Sequence, residues 1–281
     1  MILNWHAVAH TILKTITETI QKLPVSAPRP KLAVILVWEN PASLAYIRMK
    51  EKRAREVGME FELFRYESTI SQDALESEVQ RLSTDSSIHG LIIQAPLPSH
   101  IDRYAVTECI DPAKDVDGFT KTQIGNMYLG HDGLWSCTPK GIMTLLAYYD
   151  ISVAGKNIVV IGRSNIVGKP MSLMLINAGA TVTSCNRNTA NLREKTRNAD
   201  IIIVAAWVPK LITRDMVESH SIVIDVWNTF IDWIAHGDSD FEELKDVIQA
   251  ITPTPGWVGP MTVATLIDNT WKAYCSQKKE H

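Results

Sequence analysis

The stretch Asn157-Ile-Val-Val-Ile-Gly162-Arg-Ser-Asn-Ile-Val-Gly168-Lys-Pro170 decides the fold of this chain. It joins an apolar run of strand length to a loop between Gly162 and Gly168, and Pro170 is typical of the first turn of a helix. Backbone N–H groups in such a loop, together with the helix N-terminus, can hold a phosphate group. The glycine spacing matches neither G-x-G-x-x-G nor the Walker loop, which needs a hydroxyl where Pro170 stands. We therefore predict a phosphate-binding strand–loop–helix unit, with a plain tight turn as the alternative.

Strand and helix signals continue to alternate after this loop. Three further segments, at 181–185, 201–205 and 221–226, are predicted to be buried strands, with helical segments between them. Such alternation predicts a parallel sheet covered by helices on both faces. The second strand ends without the acidic residue that an NAD site usually carries for the ribose. Arg187 follows that strand instead, and together with Arg163 it favours the 2′-phosphate of NADP.

The first half of the chain shows the same alternation of strands and helices. We predict strands at about 32–37, 61–63 and 90–94, and helices at about 43–57 and 71–82. Thr138 before Pro139 predicts a further helix start, with a hydroxyl cap and proline in the first position. The fold class is therefore α/β with two domains. We expect residues 1–144 plus 263–281 to form the first, an α/β candidate substrate domain, and residues 145–262 to form a Rossmann-type parallel-sheet domain.

The composition excludes several classes of protein. The 281 residues are 46% hydrophobic and 21% charged, which argues against a disordered or fibrous chain. The formal net charge of -3 argues against nucleic-acid binding, and the longest apolar stretch, residues 201–208, is too short to span a membrane. The four cysteines are scattered without a C-x-x-C pair, so neither a disulfide framework nor a zinc site is indicated. We expect a cytoplasmic protein.

Polar side chains in the first domain form a second candidate site. Tyr46 and Lys50 are four residues apart and share one face of the predicted helix. Gln94 ends a strand, at a position where parallel sheets commonly present ligand contacts. Asp115 and Asp117 precede a glycine, but a calcium loop would need more oxygen ligands, so we predict no metal site. For a lone Tyr-x-x-x-Lys pair, a solvated lysine beside a half-buried tyrosine remains the simpler explanation.

The candidate residues of both sites belong to a set of six motifs that follow one another along the chain. They are Asn40-Pro-Ala-Ser43-x-x-Tyr46-x-x-x-Lys50, Gln94-x-Pro96-Leu97-Pro98, Lys114-Asp-Val-Asp-Gly-Phe119, Cys137-Thr-Pro-x-Gly141, Gly162-Arg-Ser-x-x-Val-Gly-Lys-Pro170 and Pro255-Gly-x-Val-Gly-Pro-Met-Thr262. Together they resemble the bifunctional methylenetetrahydrofolate dehydrogenase/cyclohydrolase family (FolD type) over nearly the whole chain. Short-chain dehydrogenases also use a Tyr-x-x-x-Lys pair, but they place it after the nucleotide loop.

The resemblance implies an activity and a role for each candidate residue. It implies NADP-dependent oxidation of 5,10-methylenetetrahydrofolate to 5,10-methenyltetrahydrofolate, hydrolysis of that product to 10-formyltetrahydrofolate, a homodimer, and an active site in the cleft between the domains. Lys50 is then the catalytic lysine, with a pKa lowered by burial. Gln94 orients Lys50, Tyr46 stacks on the aminobenzoate ring, and Asp117 accepts hydrogen bonds from the pterin.

The same resemblance implies the remaining binding residues. NADP is expected at Gly162, Arg163, Ser164, Val167, Gly168, Pro170, Arg187 and Thr138. The folate, a tetrahydrofolate derivative, is expected at Tyr46, Lys50, Gln94, Pro96, Leu97, Asp117, Gly256, Val258, Gly259 and Pro260.

Tryptophan and glycine contents are unusual, with eight tryptophans and only 14 glycines. Aligned by motif, six tryptophans stand where the family typically has glycine: Trp5, Trp38, Trp207, Trp227, Trp233 and Trp257. Glycine at all six would restore the usual content of about 7%. We interpret these positions as UGA codons that mean glycine in the source organism and were translated as tryptophan. The alternative is a catalytically impaired paralogue that retains the fold but little ligand binding, although decay should also have damaged Lys50 and Asp117.

Overall fold

Helices and strands alternate through most of the chain in the computed structural model, which describes residues 1–38, 40–232, 234–254, 256 and 258–279, with only the backbone at 42 and 279. The helices are α1 (Trp5–Gln21), α2 (Pro41–Glu56), α3 (Gln72–Thr84), α4 (Arg103–Glu108), α5 (Lys121–Leu129), α6 (Cys137–Tyr148), α7 (Gly168–Asn177), α8 (Leu192–Arg197), α9 (Phe241–Leu244) and α10 (Gly259–Lys279). The strands are β1 (Lys31–Leu36), β2 (Glu60–Arg65), β3 (Gly90–Ile93), β4 (Asn157–Ile161), β5 (Thr181–Cys185), β6 (Ile201–Val204), β7 (Ile222–Asp225), β8 (Asn228–Ile231), β9 (Ile234–Gly237) and β10 (Ala250–Ile251).

The chain divides into two units, which we name after their candidate site residues. The Gly162 unit comprises Met1–Ala9 and Thr138–Thr262, and the Lys50 unit comprises His10–Cys137 and the residues from Val263 onward. This division differs from the predicted one at residues 1–9 and 138–144. The N-terminal residues join the Gly162 unit because the N–H of Leu3 donates to the carbonyl of Ile251 at 2.9 Å, and the N–H of Ile251 donates to Met1 at 3.0 Å. A sequence pattern gives no sign of hydrogen bonds between two segments that lie about 250 residues apart in the chain.

The Lys50 unit is built on a three-stranded parallel sheet of order β2-β1-β3. The central strand β1 is buried from Leu32 to Leu36, which explains its continuous apolar sequence. Side chains from α1, α2 and α10 pack in the core on one side of this sheet, and side chains from α3 and α4 pack in the other core cluster. Because the strands are parallel, their carboxyl ends lie at the same edge. The loop after β3, which begins at Gln94, therefore emerges at that edge.

The Gly162 unit is built on a five-stranded parallel sheet of order β10-β7-β6-β4-β5. Strands β6 and β7 are buried at every residue. β4 pairs with β5 on one side and with β6 on the other, so the strand order reverses at β4. In open α/β sheets, ligands bind in the crevice at the carboxyl ends of the strands where this reversal occurs. The predicted parallel sheet is confirmed, and the phosphate loop lies at its reversal point.

An antiparallel hairpin of β8 and β9, which the sequence analysis did not predict, follows β7. The pairing of Ile231 with Ile234 leaves a two-residue loop, and Asp232 in it has φ +49°. Two-residue hairpin loops favour Asp-Gly, because type I′ turns need positive φ at both central residues. The sequence has Asp-Trp there, so the usual signal is missing. Trp233 itself lies outside the described residues.

One of two predicted helix starts differs from the structure. The predicted cap at Thr138 is wrong, since α6 begins at Cys137 and the Thr138 hydroxyl lies 2.9 Å from the Thr262 hydroxyl instead. Helix α7 begins at Gly168, so Pro170 lies in its first turn as predicted. Within the described ranges, no helix is long and apolar enough to cross a membrane, and no cluster of His, Cys, Asp or Glu side chains could hold a metal ion.

Candidate active site

Lys50 and Gln94 come together in the Lys50 unit. Lys50 lies on α2, and Gln94 follows the last residue of β3. The Lys50 Nζ donates a hydrogen bond to the Gln94 Oε1 at 3.0 Å, and the Gln94 Nε2 donates to the carbonyl of Ala95 at 2.8 Å. The second bond fixes which end of the amide faces the lysine. Gln94 therefore holds the Lys50 Nζ through an oriented carbonyl oxygen.

Burial makes Lys50 release its proton more easily than a lysine in water does. Loss of water on burial lowers the pKa of Lys50 from its ordinary value of 10.5, while the nearby Asp117 and Cys137 act in the opposite direction. Tyr46, one helical turn before Lys50 on α2, is half-buried, and burial raises the pKa of its phenol to about 12. The tyrosine therefore stays protonated at neutral pH. A lysine that loses its proton more easily suits general acid–base chemistry.

A buried carboxylate holds the turn that carries Asp117. The Asp115 carboxylate accepts hydrogen bonds from the N–H groups of Gly118 at 2.9 Å and Thr120 at 2.7 Å. Gly118 has φ +71°, and a Cβ there would collide with the carbonyl oxygen of Leu134. Burial raises the pKa of Asp115 to about 6. The two carboxylates of the Asp-Val-Asp-Gly motif therefore differ: Asp115 is buried and shapes the turn, whereas Asp117 is half-buried and lies near Lys50.

Asn269 on α10 supports the same turn, and the sequence analysis did not single it out. Its Nδ2 donates to the carbonyls of Val116 and Trp135, both at 2.8 Å. The Cys137 Sγ lies 3.4 Å from the carbonyl of Val116 and 3.8 Å from the Asp117 Oδ1. Asn269 is fully buried on α10, as are Thr265 and Thr270, so its place in the sequence gave no signal of this role.

The residues expected to bind folate fall in two different units. Pro96 and Leu97 follow Gln94 in the Lys50 unit, where the Ala95–Pro96 peptide bond is cis and the Ser43 hydroxyl donates to the carbonyl of Ala95 at 3.2 Å. The remaining expected contacts belong to the Gly162 unit, at and just before the start of α10: Gly256, Val258, Gly259 and Pro260. Tyr46, Lys50, Gln94 and Asp117 thus share one unit, and the segment 256–260 belongs to the other.

The two ends of the loop from Gly162 to Gly168 pack closely against each other and against Ala205, which follows β6. Gly162 has φ +116°, and a Cβ there would collide with the carbonyl oxygen of Ala205. A Cβ on Gly168 would collide with the carbonyl oxygen of Gly162. The Ser164 hydroxyl accepts the N–H of Val167 at 3.0 Å, while residues 163–166 remain exposed. Only glycine fits at the two ends of this loop, which leaves its exposed middle able to receive a phosphate.

Two arginines lie at the carboxyl end of β5. The Arg163 guanidinium donates to the carbonyl of Ser184 at 2.6 Å, and Arg187 is exposed two residues after β5 ends. In a dinucleotide site, the adenosine ribose is recognised about 20 residues beyond the glycine loop, after the second strand. The donor set at this point is cationic and contains no acid, so it fits a nucleotide with a 2′-phosphate. Pro170 and Val167 are buried beneath the loop and shape it from inside.

Several tryptophans at predicted glycine positions lie in unusual environments. Trp207 has φ +59°, a backbone conformation that glycine adopts readily and bulky residues rarely adopt. Trp5 is buried, and its Nε1 finds no hydrogen-bond partner within the described part of the chain. Trp38 is largely exposed where β1 ends. Trp257, like Trp233, lies outside the described residues. Trp207 is thus the position at which the backbone itself favours glycine.

Two domains of one known family match the two parts of the chain. Residues 3–117 match the catalytic domain of the family described as tetrahydrofolate dehydrogenase/cyclohydrolase, and residues 136–278 match its NAD(P)-binding domain. This chain belongs to the tetrahydrofolate dehydrogenase/cyclohydrolase family. The family membership predicted from the six motifs is therefore confirmed.

Individual relatives resemble the chain over its whole length. A bifunctional protein FolD from Exiguobacterium sibiricum is 44% identical over 273 residues, which cover 97% of this chain and 99% of the relative. The crystal structure of FolD from Campylobacter jejuni is 42% identical, with a TM-score of 0.96 and coverage of 100% and 99%. The Trypanosoma brucei enzyme, solved with NADP and an inhibitor, is 30% identical, with a TM-score of 0.93 and coverage of 99% and 98%. None of these comparisons supports the alternative of an impaired paralogue.

Proposed function

We propose that this chain oxidises 5,10-methylenetetrahydrofolate to 5,10-methenyltetrahydrofolate with NADP and hydrolyses the product to 10-formyltetrahydrofolate. The observation that carries the proposal is the hydrogen bond of Lys50 to Gln94, beside Asp117, in a chain whose two parts match the catalytic and NAD(P)-binding domains of one family. Because its pKa is lowered, Lys50 can act as the base in the hydrolytic step. Family membership and this arrangement of side chains support the same activity.

Hydrolysis of the methenyl cation requires movement of protons, which Lys50 can supply. Neutral Lys50 takes a proton from water as the water oxygen bonds to the methenyl carbon. The resulting ammonium gives that proton to N5 as the bond between this carbon and N5 breaks, and the hydroxyl proton leaves to solvent. The formyl group then remains on N10. Gln94 holds the Lys50 Nζ in place through the bond at 3.0 Å.

The other side chains of the Lys50 unit bind and orient the folate. Asp117 accepts hydrogen bonds from the pterin N–H groups, and its turn is fixed by Asp115 and Asn269. Tyr46 offers a half-buried ring, which stays protonated, for stacking on the aminobenzoate ring. Pro96 and Leu97, and the segment 256–260 of the Gly162 unit, are the further folate contacts in this proposal.

For the oxidation, NADP, when bound, would supply the acceptor for the hydride of the methylene carbon. The chain's own contribution is to hold the dinucleotide by the loop from Gly162 to Gly168, with Arg163 and Arg187 beside the 2′-phosphate. A Trypanosoma brucei relative was solved with NADP, which supports this choice of cofactor. The other residues proposed for this site are Ser164, Val167, Pro170 and Thr138. The Thr138 hydroxyl is hydrogen-bonded to the Thr262 hydroxyl.

We further propose a homodimer that acts in the cytoplasm. The hairpin of β8 and β9 carries Phe230, 70% exposed, and Ile234, 61% exposed, which is more apolar surface than a short hairpin normally leaves in water. A second copy of the chain is the occupant that this surface fits best. No disulfide bond joins the four cysteines, all of which lie in the described part of the chain, and this is consistent with a reducing compartment.

The proposed activity is tested with two versions of the protein in parallel. One is the chain with its printed sequence, and the other carries glycine at all six tryptophan positions. Absorbance of the methenyl product follows NADP-dependent oxidation, and its decay follows hydrolysis. We expect the glycine version to catalyse both steps. Failure of both versions in both assays would refute the proposed function.

A further inference from the structure

A buried aspartate binds three consecutive backbone N–H groups directly after β6. The Asp238 Oδ2 accepts from the N–H of Ala206 at 2.6 Å and of Trp207 at 3.0 Å, and its Oδ1 accepts from the N–H of Val208 at 2.8 Å. Asp238 is fully buried. Successive N–H groups converge in this way when a right-handed and a left-handed residue alternate, which forms an anion-binding concavity. The φ of +59° at Trp207 provides the left-handed residue, and the bound anion is the side chain of Asp238.

A second buried aspartate holds Asp238 in turn. The Asp225 Oδ1 accepts the N–H of Asp238 at 3.2 Å, and its Oδ2 accepts the N–H of Ser239 at 2.7 Å and the hydroxyl of Ser239 at 2.6 Å. A Cβ on Gly237 would collide with the Asp225 Oδ2, so the chain can approach this carboxylate only with glycine at 237. Asp225 ends β7, so it is itself anchored in the sheet.

The segment held by Asp238 adjoins the phosphate loop. Residues 206–208 continue from Ala205, whose carbonyl oxygen lies against the Cα of Gly162. The N–H of Ala205 also donates to the carbonyl of Ile161 at 2.8 Å. Both segments leave the carboxyl ends of the neighbouring strands β4 and β6, where the strand order reverses. A shift of residues 206–208 would therefore move the wall against which the Gly162 turn packs.

We propose that Asp238, held by Asp225, is a positioning residue of the dinucleotide site. Asp238 does not touch the reacting atoms in this proposal. It fixes residues 206–208 as one wall of the crevice at β4 and β6, and the phosphate loop keeps its shape against that wall. The inference rests on the proposed function, because Asp238 is assigned a role in positioning the site for NADP, the cofactor of that function.

The test compares Asp238→Ala and Asp238→Asn with Asp200→Ala, in whichever of the two versions described above turns over. Asp200 is a matched control, since its carboxylate accepts the N–H of Asn157 at 2.8 Å at the opposite end of the same sheet. Dinucleotide affinity is measured by calorimetry with NADP, and kcat and KM are measured for oxidation. Hydrolysis of the methenyl compound is measured without NADP, and it reports whether the Lys50 unit remains folded and active.

We expect both Asp238 variants to raise the Kd and KM for NADP at least about tenfold and to leave hydrolysis within about twofold of the parent. The asparagine variant should show the effect without any loss of side-chain volume, because an amide N–H₂ cannot accept from the backbone. Unchanged NADP affinity in both variants, or a parallel loss of oxidation and hydrolysis, would overturn the positioning role. If neither parent version binds NADP, the proposed function itself fails, which is a separate result.

Discussion

The indole rings of Trp207 and Trp227 stack on each other, with centroids 4.7 Å apart and an angle of 16° between the ring planes. Trp207 follows β6 and Trp227 follows β7, so the stacked pair lies at the carboxyl ends of two adjacent strands of the parallel sheet. This is the edge at which such sheets bind dinucleotides. Two large rings therefore occupy the neighbourhood of the proposed NADP site, at two positions where the resemblance implies glycine.

Removing this ring pair should improve dinucleotide binding. We expect Trp207→Gly with Trp227→Gly to lower the Kd for NADP about tenfold or more, a change of ~1.4 kcal/mol, because the rings leave the strand ends. Calorimetry is suitable, since it does not depend on tryptophan fluorescence. The matched control is Trp207→Ala with Trp227→Ala, which also removes the rings but keeps a Cβ at the left-handed position. It should be less stable than the glycine pair by about 1 kcal/mol. Equal NADP affinity before and after removal of the rings would contradict the prediction.

The identity of the residues inserted in the cell can be measured directly. We expect peptides of the protein purified from its source organism to carry glycine at Trp5, Trp38, Trp207, Trp227, Trp233 and Trp257. Trp135 and Trp271 serve as internal controls, because they do not stand at family glycine positions and should remain tryptophan. Tandem mass spectrometry of the peptides decides each position separately. Tryptophan at all six positions would refute the interpretation that UGA was misread.

The hydrolytic step should depend on the protonation of Lys50. Because burial lowers the pKa of Lys50 and the neutral amine is the base, the rate should rise with pH and level off below the ordinary lysine value of 10.5. Lys50→Met should reduce hydrolysis by a factor on the order of 100 to 10,000. Lys50→Arg should do the same, because arginine does not release its proton. Lys52→Met, on the exposed side of the same helix, is the control and should leave the rate unchanged. A pH–rate profile that Lys50→Met leaves intact would count against the lysine as base.

The stability of the Gly162 unit should fall as pH rises toward neutrality, in part because of Asp225. Burial raises the pKa of Asp225 from 3.8 to about 7, and the neighbouring Asp238 acts in the same direction. The folded state therefore holds a proton that the unfolded state releases, and its stabilising contribution below pH 4 is lost as pH rises through about 7. Asp225→Asn removes this titration, so its melting temperature should change less than that of the parent between pH 5 and pH 8. Calorimetric melting of both proteins tests this, and identical pH dependence would contradict it.

The apolar hairpin should determine the oligomeric state. We expect Phe230→Ser combined with Ile234→Ser to convert a dimer into a monomer, because these side chains lose the apolar area they would bury against a second copy. Light scattering after size-exclusion chromatography measures the mass. Val25→Ser is the control, because Val25 is 98% exposed but lies outside the hairpin. A dimer that persists in the double variant would place the interface elsewhere.

The sequence by itself determined the parallel-sheet folds and the main site residues. Strands β4 and β5 have their predicted bounds, but the predicted burial of β5 is wrong, because it is the edge strand of the sheet and leaves Thr181 and Thr183 exposed. Lys50 and Gln94 were found through motifs and are hydrogen-bonded in the structure. Gly162 was also identified from the loop spacing, whereas the carbonyl oxygen of Ala205 that excludes a Cβ there became visible only in the structure.

Only the tertiary structure decided how distant polar groups support these sites. Asp238 binds Ala206 from 32 residues away, and Asn269 binds Val116 from 153 residues away. Neither contact leaves a periodic or spaced pattern in the chain, since each depends on where the fold carries two separate segments. The hairpin of β8 and β9 was missed for a different reason, because tryptophan stands where its turn would normally signal glycine. Local turn and strand preferences are encoded along the chain, whereas the partners of buried polar groups are fixed only when the chain has folded.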